Sequence, residues 1–227
     1  MFDRSSWMDV ERYLQHDDRA AVVVGSCEQH AYLSLSTDVI MPMAIAQEAC
    51  KREGVLLAPP VNYGVSPYFT AYPGTISLRP ETLAALMRDI LSGLLAQGFR
   101  RILVSNGHGG NNGILNAVLI ETANAHPGAH MALFQWWSHP AVAAASIEAG
   151  YPPHHANWSE NFPQTRLGPI PAGGKPDVTM PQGSSATTTR QLLGDGSMGG
   201  VYQAPDELSD RIFALGVDLM AAELRTL

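Results

Sequence analysis

Short apolar runs alternate along the chain with longer stretches of helical spacing. The runs cover residues 20–25, 55–58, 101–105 and 130–136. The first is rich in valine and stops at a glycine, and the second stops at two prolines. Short apolar runs that end at such residues are typical of buried strands, and we therefore predict four strands.

The stretches between these runs predict helices. The clearest helix begins at Pro80, a residue favoured in the first turn, and ends at Gly98. Between them, leucine, methionine and isoleucine recur every three or four positions, as on one face of a helix. We predict further helices at residues 39–52, 114–125, 140–149 and 206–227.

Two segments predict irregular structure because they are rich in glycine, proline and hydroxyl-bearing residues. They are residues 61–78 and 163–200. Long loops of this kind are often functional. Within the second segment, residues 184–189 form a polar run that we interpret as a loop without a chemical role.

The order of these elements predicts an α/β fold. Strands alternate with helices, which implies a mostly parallel central sheet covered by helices on both faces. The length suits a single domain over residues 1–227, and no internal repeat or domain boundary divides it. In such sheets ligands bind beyond the carboxyl ends of the strands. The segments that carry Glu28 and His108 begin at those ends.

Composition narrows the range of partners. The chain is 45% hydrophobic and 15% charged, which indicates a globular protein and excludes a disordered one. Its net charge is −7 and it has no cluster of Lys or Arg, so we expect no binding to nucleic acid or anionic membrane. Two cysteines are too few for a disulfide framework. No signal-like or membrane-length apolar run is present, and we expect a cytoplasmic protein.

Five side chains that can bind metal lie in three separate segments. Glu28, His30 and Asp38 follow the first predicted strand, His108 follows the third, and Glu160 lies further along the chain. Carboxylates mixed with imidazoles suit zinc, manganese or iron(II). Two such ions close together can activate water, so the pattern points to metal-assisted hydrolysis.

Two of these assignments have alternatives, and three neighbouring residues need an interpretation. Asp38 could cap the helix that follows it. His108 could be incidental at a helix start, in a glycine-rich turn that lacks the Lys-Ser/Thr of a phosphate-binding loop. His155 could act as a general acid or base, whereas we interpret His154 as a solvated loop residue. Cys27 has no evident paired base, and we favour a small buried thiol over a nucleophile.

Aromatic residues are candidates for the walls of a substrate pocket, although they are equally common in hydrophobic cores. We take them as possible substrate contacts. They are Tyr72, Trp136, Trp137, Tyr151 and Trp158.

Taken together, the motifs resemble the creatininase (creatinine amidohydrolase) family. Five segments match its pattern in order, from about residue 20 to the last helix. They are Gly-Ser-Cys-Glu-Gln-His with Thr-Asp in residues 25–38, Tyr-Pro-Gly-Thr-Ile-Ser-Leu-Arg-Pro-Glu-Thr-Leu in 72–83, Asn-Gly-His-Gly-Gly-Asn in 106–111, His-Ala-Asn-Trp-Ser-Glu in 155–160 and Leu-Gly-Asp-Gly-Ser-Met-Gly-Gly in 193–200.

This resemblance implies a three-layer α/β/α fold, a two-metal site and a homo-oligomer, commonly a hexamer. It implies that Asp38 bridges two divalent ions, with zinc, manganese or iron as the metal. Glu28 and His108 would complete the ligands of one ion, and His30 with a carboxylate those of the other. A water between the ions would be the nucleophile. His155 matches a histidine implicated in proton transfer to the leaving nitrogen.

The chain departs from the family pattern at several positions. The enzyme that gives the family its name carries a metal-binding glutamate where this chain has Gly110, and we expect Glu160 to supply the missing carboxylate. That enzyme also has a tryptophan where this chain has Tyr151, and the segment around Asn157 and Trp158 differs. The metal centre is therefore expected to be retained while the substrate pocket is altered.

These observations lead to one functional hypothesis and two alternatives. The leading hypothesis is a metal-dependent amidohydrolase that cleaves a C–N amide bond in a small cyclic or acyl-amino compound, with His155 and Glu160 as catalytic residues. The first alternative keeps the site but opens the ring of a keto-polyol, sugar or lactone. The second is a catalytically inactive member that serves as a binding protein, although none of the four core ligand residues is missing.

Overall fold

Four parallel strands form the central sheet of the computed structural model, which describes residues 1–227. The strand order is β2-β1-β3-β4, and the register places Ala20 of β1 opposite Ile102 of β3. A separate two-stranded antiparallel sheet joins β5 to β6. The strands are β1 (Arg19–Val24), β2 (Leu56–Leu57), β3 (Arg101–Asn106), β4 (His130–Phe134), β5 (Gly174–Lys175) and β6 (Gly200–Val201).

Seven α-helices accompany these strands. None of them combines the length and apolar character that crossing a membrane requires. The helices are α1 (Trp7–Tyr13), α2 (Thr37–Glu53), α3 (Pro80–Gln97), α4 (Asn112–Ala125), α5 (Pro140–Glu148), α6 (Ala186–Leu193) and α7 (Asp206–Thr226).

The helices cover both faces of the sheet. Successive side chains of a strand point to opposite faces, so β1 contributes to two cores. Ala21 and Val23 belong to the core that contains buried residues of α2, α5 and α7. Ala20, Val22 and Val24 belong to the core that contains buried residues of α1, α3 and α4. The result is a three-layer α/β/α arrangement, which confirms the predicted fold class.

The strongest sequence signals correspond to the most regular elements. Helix α3 begins at Pro80 and ends before Gly98, whose φ of +112° is the left-handed conformation that favours glycine. Strands β1 and β3 lie within a residue of their predicted bounds. The strand predicted over residues 55–58 shortens to the two residues of β2, at the edge of the sheet.

Two helices were not predicted. Helix α1 is short and begins with a capping box in which the Ser6 and Asp9 side chains accept each other's backbone N–H groups. Helix α6 and the β5–β6 pair interrupt the segment 163–200, so the prediction of irregular structure there was wrong in part. Thr and Ser are weak helix formers, and α6 instead gains a cap from Ser185 and buries Leu193.

Two glycines let the first turn of α2 approach the carboxyl ends of β1 and β3. A Cβ atom at Gly25 would lie 2.4 Å from the carbonyl oxygen of Asp38, and one at Gly107 would lie 1.8 Å from it. Since neither position has space for a methyl group, this packing requires glycine at both. Asp38 is therefore held beside the ends of two neighbouring strands.

Candidate metal centre

The structure brings the five predicted metal-binding side chains together at the carboxyl edge of the sheet. Glu28 and His30 lie in the segment that leaves β1, and Asp38 is in the first turn of α2. His108 follows β3, and Glu160 ends a short 3₁₀ turn at Trp158–Glu160. Parallel strands end at one rim, which is why segments far apart in sequence meet here.

Glu28, Asp38 and His108 form the first cluster. Their potential ligand atoms lie within 4.8 Å of one another. His108 Nδ1 is 3.0 Å from Asp38 Oδ2 and 3.5 Å from Glu28 Oε1. All three residues are buried. This is a set of two carboxylates and one imidazole around one point.

His30, Asp38 and Glu160 form the second cluster, again with ligand atoms within 4.8 Å of one another. His30 Nε2 is 3.1 Å from Asp38 Oδ1 and 3.6 Å from Glu160 Oε2. Asp38 therefore turns one oxygen toward His30 and the other toward His108. A carboxylate placed in this way can bridge two ions. The capping alternative for Asp38 does not hold, because the N-cap residue of α2 is Ser36 and no side chain caps the helix.

Hydrogen bonds on the far side of each imidazole direct its free nitrogen into the centre. His108 Nε2 is 3.0 Å from the carbonyl oxygen of Val65, and His30 Nδ1 is 3.2 Å from that of Glu28. A carbonyl oxygen only accepts, so each of these ring nitrogens carries the proton. When the rings are neutral, the opposite nitrogens, His108 Nδ1 and His30 Nε2, have lone pairs that can bind metal.

The pKa values show that the centre attracts positive charge. Burial and the neighbouring Asp38 carboxylate raise the pKa of Glu28 to about 7. Burial alone would lower the pKa of His30, but the carboxylates of Asp38 and Glu160 outweigh it and raise that pKa to about 10. Burial likewise opposes a charged His108, yet Glu28 and Asp38 raise its pKa to about 9. Two buried carboxylates and the partly buried Glu160 thus favour a cation among them.

Unpartnered polar atoms show that the centre fits metal ions. Glu28 Oε2, His30 Nε2 and Asp38 Oδ2 are buried and have no hydrogen-bond partner. Such atoms are costly to leave unsatisfied in a protein interior. Nitrogen and oxygen donors in this mixture suit zinc, manganese or iron(II). The two clusters are therefore suited to two divalent ions with Asp38 between them.

Glu160 lies where the second cluster needs a carboxylate, and position 110 cannot provide one. A Cβ atom at Gly110 would lie 2.1 Å from the Val65 carbonyl oxygen and 2.5 Å from His108 Nε2. The backbone N–H of Ala156 donates to Glu160 Oε2 over 2.6 Å. Ala156 has a φ of +55°, an uncommon conformation for a residue other than glycine. The turn that carries Glu160 is thus held by a strained backbone.

His155 lies beside both clusters. Its Nδ1 is 3.8 Å from Glu28 Oε1 and 3.9 Å from Glu160 Oε2. Its ring stacks on Phe69, with ring centroids 4.6 Å apart and planes at 12°. Burial first, and then the nearby His30 charge, lower the pKa of His155 well below its ordinary value. The ring is therefore neutral and rigidly placed.

Two contacts of His155 were not anticipated from the sequence. Gln29 reaches His155 Nε2 through its side-chain amide, 2.9 Å away, and Phe69 provides the stacking surface. The position of Gln29 between Glu28 and His30 was the available signal. Nothing local marks Phe69, because its role depends on how the segment 61–78 folds over the site.

A cavity of about 780 Å³ opens onto the metal centre. Trp158 and Trp137 line it, whereas Tyr72, Trp136 and Tyr151 are not among its lining residues. Trp136 instead packs in the core, edge-on to a phenylalanine ring. The walls consist of valine, proline, methionine and aromatic side chains together with neutral Ser, Thr and Gln, and no Lys or Arg contributes to them.

His154 and Cys27 lie at the margin of this region. His154 lines the cavity, and its Nε2 is 3.4 Å from Asp177 Oδ1. Cys27 is a free, half-buried cysteine whose thiol donates to the carbonyl oxygen of Gly74. The Cys27 thiol therefore forms its hydrogen bond with the backbone and not with a histidine.

Comparison with known proteins identifies relatives by sequence. A family model described as creatinine amidohydrolase matches residues 3–224. A creatinine amidohydrolase of Pseudomonas putida is 31% identical over 110 residues, covering 45% of this chain and 42% of that protein. A mycofactocin precursor peptide peptidase of Mycolicibacterium smegmatis is 36% identical over 97 residues, covering 40% and 39%. A 3-dehydro-scyllo-inosose hydrolase of Thermotoga maritima is 26% identical over 110 residues, covering 48% and 35%. The matched region spans less than half of each relative.

Solved structures share the fold over almost the whole chain. A mutant creatininase described as a Zn–Zn type and a creatininase described as a manganese form each superpose with a TM-score of 0.83. Each is 23% identical and covers 99% of this chain and 96% of the other. These likenesses support the three-layer architecture.

Proposed function

The chain belongs to the creatininase family, and from that membership we propose that it is a metal-dependent amidohydrolase acting on a small cyclic or acyl-amino compound. The observation that carries the proposal is the placement of Asp38. Its two carboxylate oxygens face two different histidines, each in a cluster of three ligand residues. The relatives named as a creatinine amidohydrolase and a peptide peptidase support C–N bond cleavage.

In this proposal Glu28 and His108 hold one divalent ion, His30 and Glu160 hold the other, and Asp38 binds both. Zinc, manganese or iron bound there would lower the pKa of a shared water and polarise the carbonyl group of the substrate. The protein's own groups orient the substrate and exclude bulk water.

His155 and Glu160 are the residues that we propose to serve the reacting atoms. The His155 Nδ1 lies between carboxylates of the two clusters, 3.8 Å from Glu28 Oε1 and 3.9 Å from Glu160 Oε2. A leaving nitrogen bound between these carboxylates and the cavity would be within reach of this ring. Glu160 contributes both as a ligand and as the carboxylate on the cavity side of the second cluster.

The cavity favours an uncharged substrate body. Trp137, Met180 and Met198 contribute apolar walls, and no Lys or Arg is present to bind a carboxylate or phosphate away from the ions. A buried anion without a partner is costly. The volume of about 780 Å³ is within the range of pockets for drug-sized ligands, so the cavity has room for an acyl chain or an apolar ring.

Two matched probes test this preference. Octanohydroxamic acid and suberic acid monohydroxamate are equally long and share the chelating group, but the second carries a carboxylate at its far end. We expect the neutral probe to bind the zinc-loaded protein at least about tenfold more tightly. Trp137→Ala should weaken binding of the neutral probe and leave acetohydroxamic acid unaffected. Equal affinity for the two long probes would contradict an uncharged substrate.

One relative favours a second function at the same site. The protein named 3-dehydro-scyllo-inosose hydrolase supports ring opening of a keto-polyol rather than an amide. The distinguishing test is turnover by the metal-loaded protein of a panel of cyclic amides and N-acyl amino compounds against keto-polyols and lactones. Amide turnover that Asp38→Asn abolishes would establish the amidohydrolase. Turnover confined to compounds without nitrogen would overturn it, and no turnover by a protein holding two ions would favour the inactive binding protein.

We also propose that the chain forms one domain over residues 1–227 and assembles as a homo-oligomer in the cytoplasm, with a hexamer favoured by the family resemblance. Several large apolar side chains are exposed on the single chain, among them Leu167 at 75% and Ile147 at 64%. Exposed apolar side chains that form a contiguous patch suit a subunit contact. Light scattering coupled to size-exclusion chromatography tests it, and a monomer at micromolar concentration would refute it.

A further inference from the structure

The side-chain amide of Gln29 has one possible orientation. Its Nε2 is 3.0 Å from the carbonyl oxygen of Gly196, which can only accept. Its Oε1 accepts the backbone N–H of Ala31 over 3.0 Å. Exchanging the nitrogen and oxygen would place acceptor against acceptor and donor against donor. The orientation of this buried amide is therefore determined by two backbone groups.

The surrounding backbone is shaped around this amide. Gly196 has a φ of +103°, and a Cβ atom there would lie 1.7 Å from Gln29 Oε1. Ala31 has a φ of +49°, which is uncommon for a residue other than glycine. Two residues beside the Gln29 side chain thus adopt uncommon backbone conformations. Such conformations have a free-energy cost and persist only where the surrounding structure requires them, which indicates that the placement of Gln29 matters.

The fixed amide determines the tautomer of His155. Gln29 Nε2 lies 2.9 Å from His155 Nε2, and an amide nitrogen has no lone pair to accept with. Gln29 must therefore donate, so His155 Nε2 carries no proton. The proton of the neutral ring is then on Nδ1, the atom that faces Glu28 Oε1 and Glu160 Oε2.

We propose that Gln29 is a positioning residue that holds His155 as a neutral ring with its Nδ1–H directed at the reacting atoms. The role of Gln29 rests on the proposed function only for its expected effect on kcat. A protonated Nδ1 cannot ligate a metal ion, so the grouping of Glu28, His30 and His155 is not a third metal site. The two clusters that share Asp38 remain.

The tautomer also narrows what His155 does. Transfer of the Nδ1 proton from a neutral ring would leave an imidazolate, because Nε2 is already unprotonated. His155 therefore donates a hydrogen bond from Nδ1 to the substrate's oxygen or leaving nitrogen, and the N–H bond does not break. A neutral histidine that polarises a substrate in this way is a known device of enzymes.

The test compares the native protein with two Gln29 variants. Gln29→Glu is isosteric but presents an acceptor to His155, so it should move the proton to Nε2 and leave a lone pair facing the ions. Gln29→Met removes the amide and should leave the tautomer mixed. Long-range ¹H–¹⁵N correlation spectra of the histidine rings in zinc-loaded protein report the tautomer, with His155→Asn identifying the signal. The control Gln97→Glu makes the same chemical change at the exposed end of α3 and should alter nothing.

We expect the native His155 to carry its proton on Nδ1 and Gln29→Glu to carry it on Nε2. With a substrate from the turnover panel, Gln29→Glu should lower kcat by about 10²-fold, as for loss of one hydrogen-bond donor to the transition state. KM and the content of two ions per chain should change little. A native His155 with its proton on Nε2 overturns the proposal whether or not the variants fold. Absence of turnover by the native protein would instead count against the proposed function and leave the spectra decisive.

Discussion

Removal of the metal ions should destabilise the whole fold. At pH 7 the protonated His30 and His108 rings donate to Asp38, so Glu28 Oε2 is the buried ligand atom that stays without a hydrogen-bond partner in the ion-free protein. An unsatisfied buried atom costs about 1–3 kcal/mol, so ligation of this oxygen should add about 1–3 kcal/mol to the free energy of unfolding. In a chain of this length each kcal/mol moves the melting temperature by about 2–4 °C, which gives a rise of roughly 2–12 °C.

Differential scanning calorimetry of chelator-treated protein, titrated with zinc or manganese, measures this rise. Elemental analysis of the same samples counts the ions. Asp38→Asn removes the carboxylate that both clusters share and should lose more than half of the rise. The matched control is Asp89→Asn, an identical change at an exposed position of α3, and it should keep the full rise. A folded native protein whose melting temperature is unchanged by either metal would refute the assignment of a two-ion centre.

Three further predictions concern single groups. Glu160→Gln should reduce the metal content from two ions to one, because one cluster loses a carboxylate, and elemental analysis that still finds two would place the ligand elsewhere. Zinc loading at pH 7 should release about two protons per chain. Carboxylates raise the pKa of His30 to about 10 and that of His108 to about 9 against the effect of burial, so both rings are protonated before an ion displaces the protons. Calorimetry in buffers of different ionisation enthalpy measures the release, and a measurement that finds no proton release would contradict the prediction. Asp17→Asn should lower the free energy of unfolding by about 1–2 kcal/mol at pH 7. Burial opposes ionisation of Asp17, but hydrogen bonds from Arg19 outweigh it and lower the pKa of Asp17. The stabilisation by ionised Asp17 is therefore present above about pH 4 and is lost as the pH falls through the lowered pKa. Urea titrations at pH 7 and pH 3 should show that the native protein and the variant differ less in free energy of unfolding at the lower pH.

Regular elements of the fold were predictable because their signals are local. Helix α3 has a proline at its start, a glycine after its end and apolar residues at helical spacing between them. Strand β1 is an uninterrupted buried run. Helix α6 was missed because its Ser- and Thr-rich sequence has weak intrinsic preference, and its stability comes from burying Leu193 against other segments.

The metal centre was predictable to the extent that it follows strand ends. Glu28, His30 and His108 lie where parallel strands finish, and topology alone brings such segments together. Glu160 depends on a turn in which Ala156 takes a φ of +55°, and no periodicity reports that conformation. The residues that line the cavity were harder still to predict, because adjacent aromatic residues face different ways. Trp137 lines the cavity while its neighbour packs in the core.

The two glycines that admit the first turn of α2 make the placement of Asp38 beside β1 and β3 a property of the backbone. Gly25 follows β1 and Gly107 follows β3, which are neighbours in the sheet at about 4.8 Å. The cavity walls come from other segments, such as those of Phe69 and Met180, that take no part in that packing. Evolution can therefore replace the walls one at a time while the catalytic scaffold keeps its dimensions. That separation accounts for a family whose members are named for creatinine, a peptide precursor and an inosose.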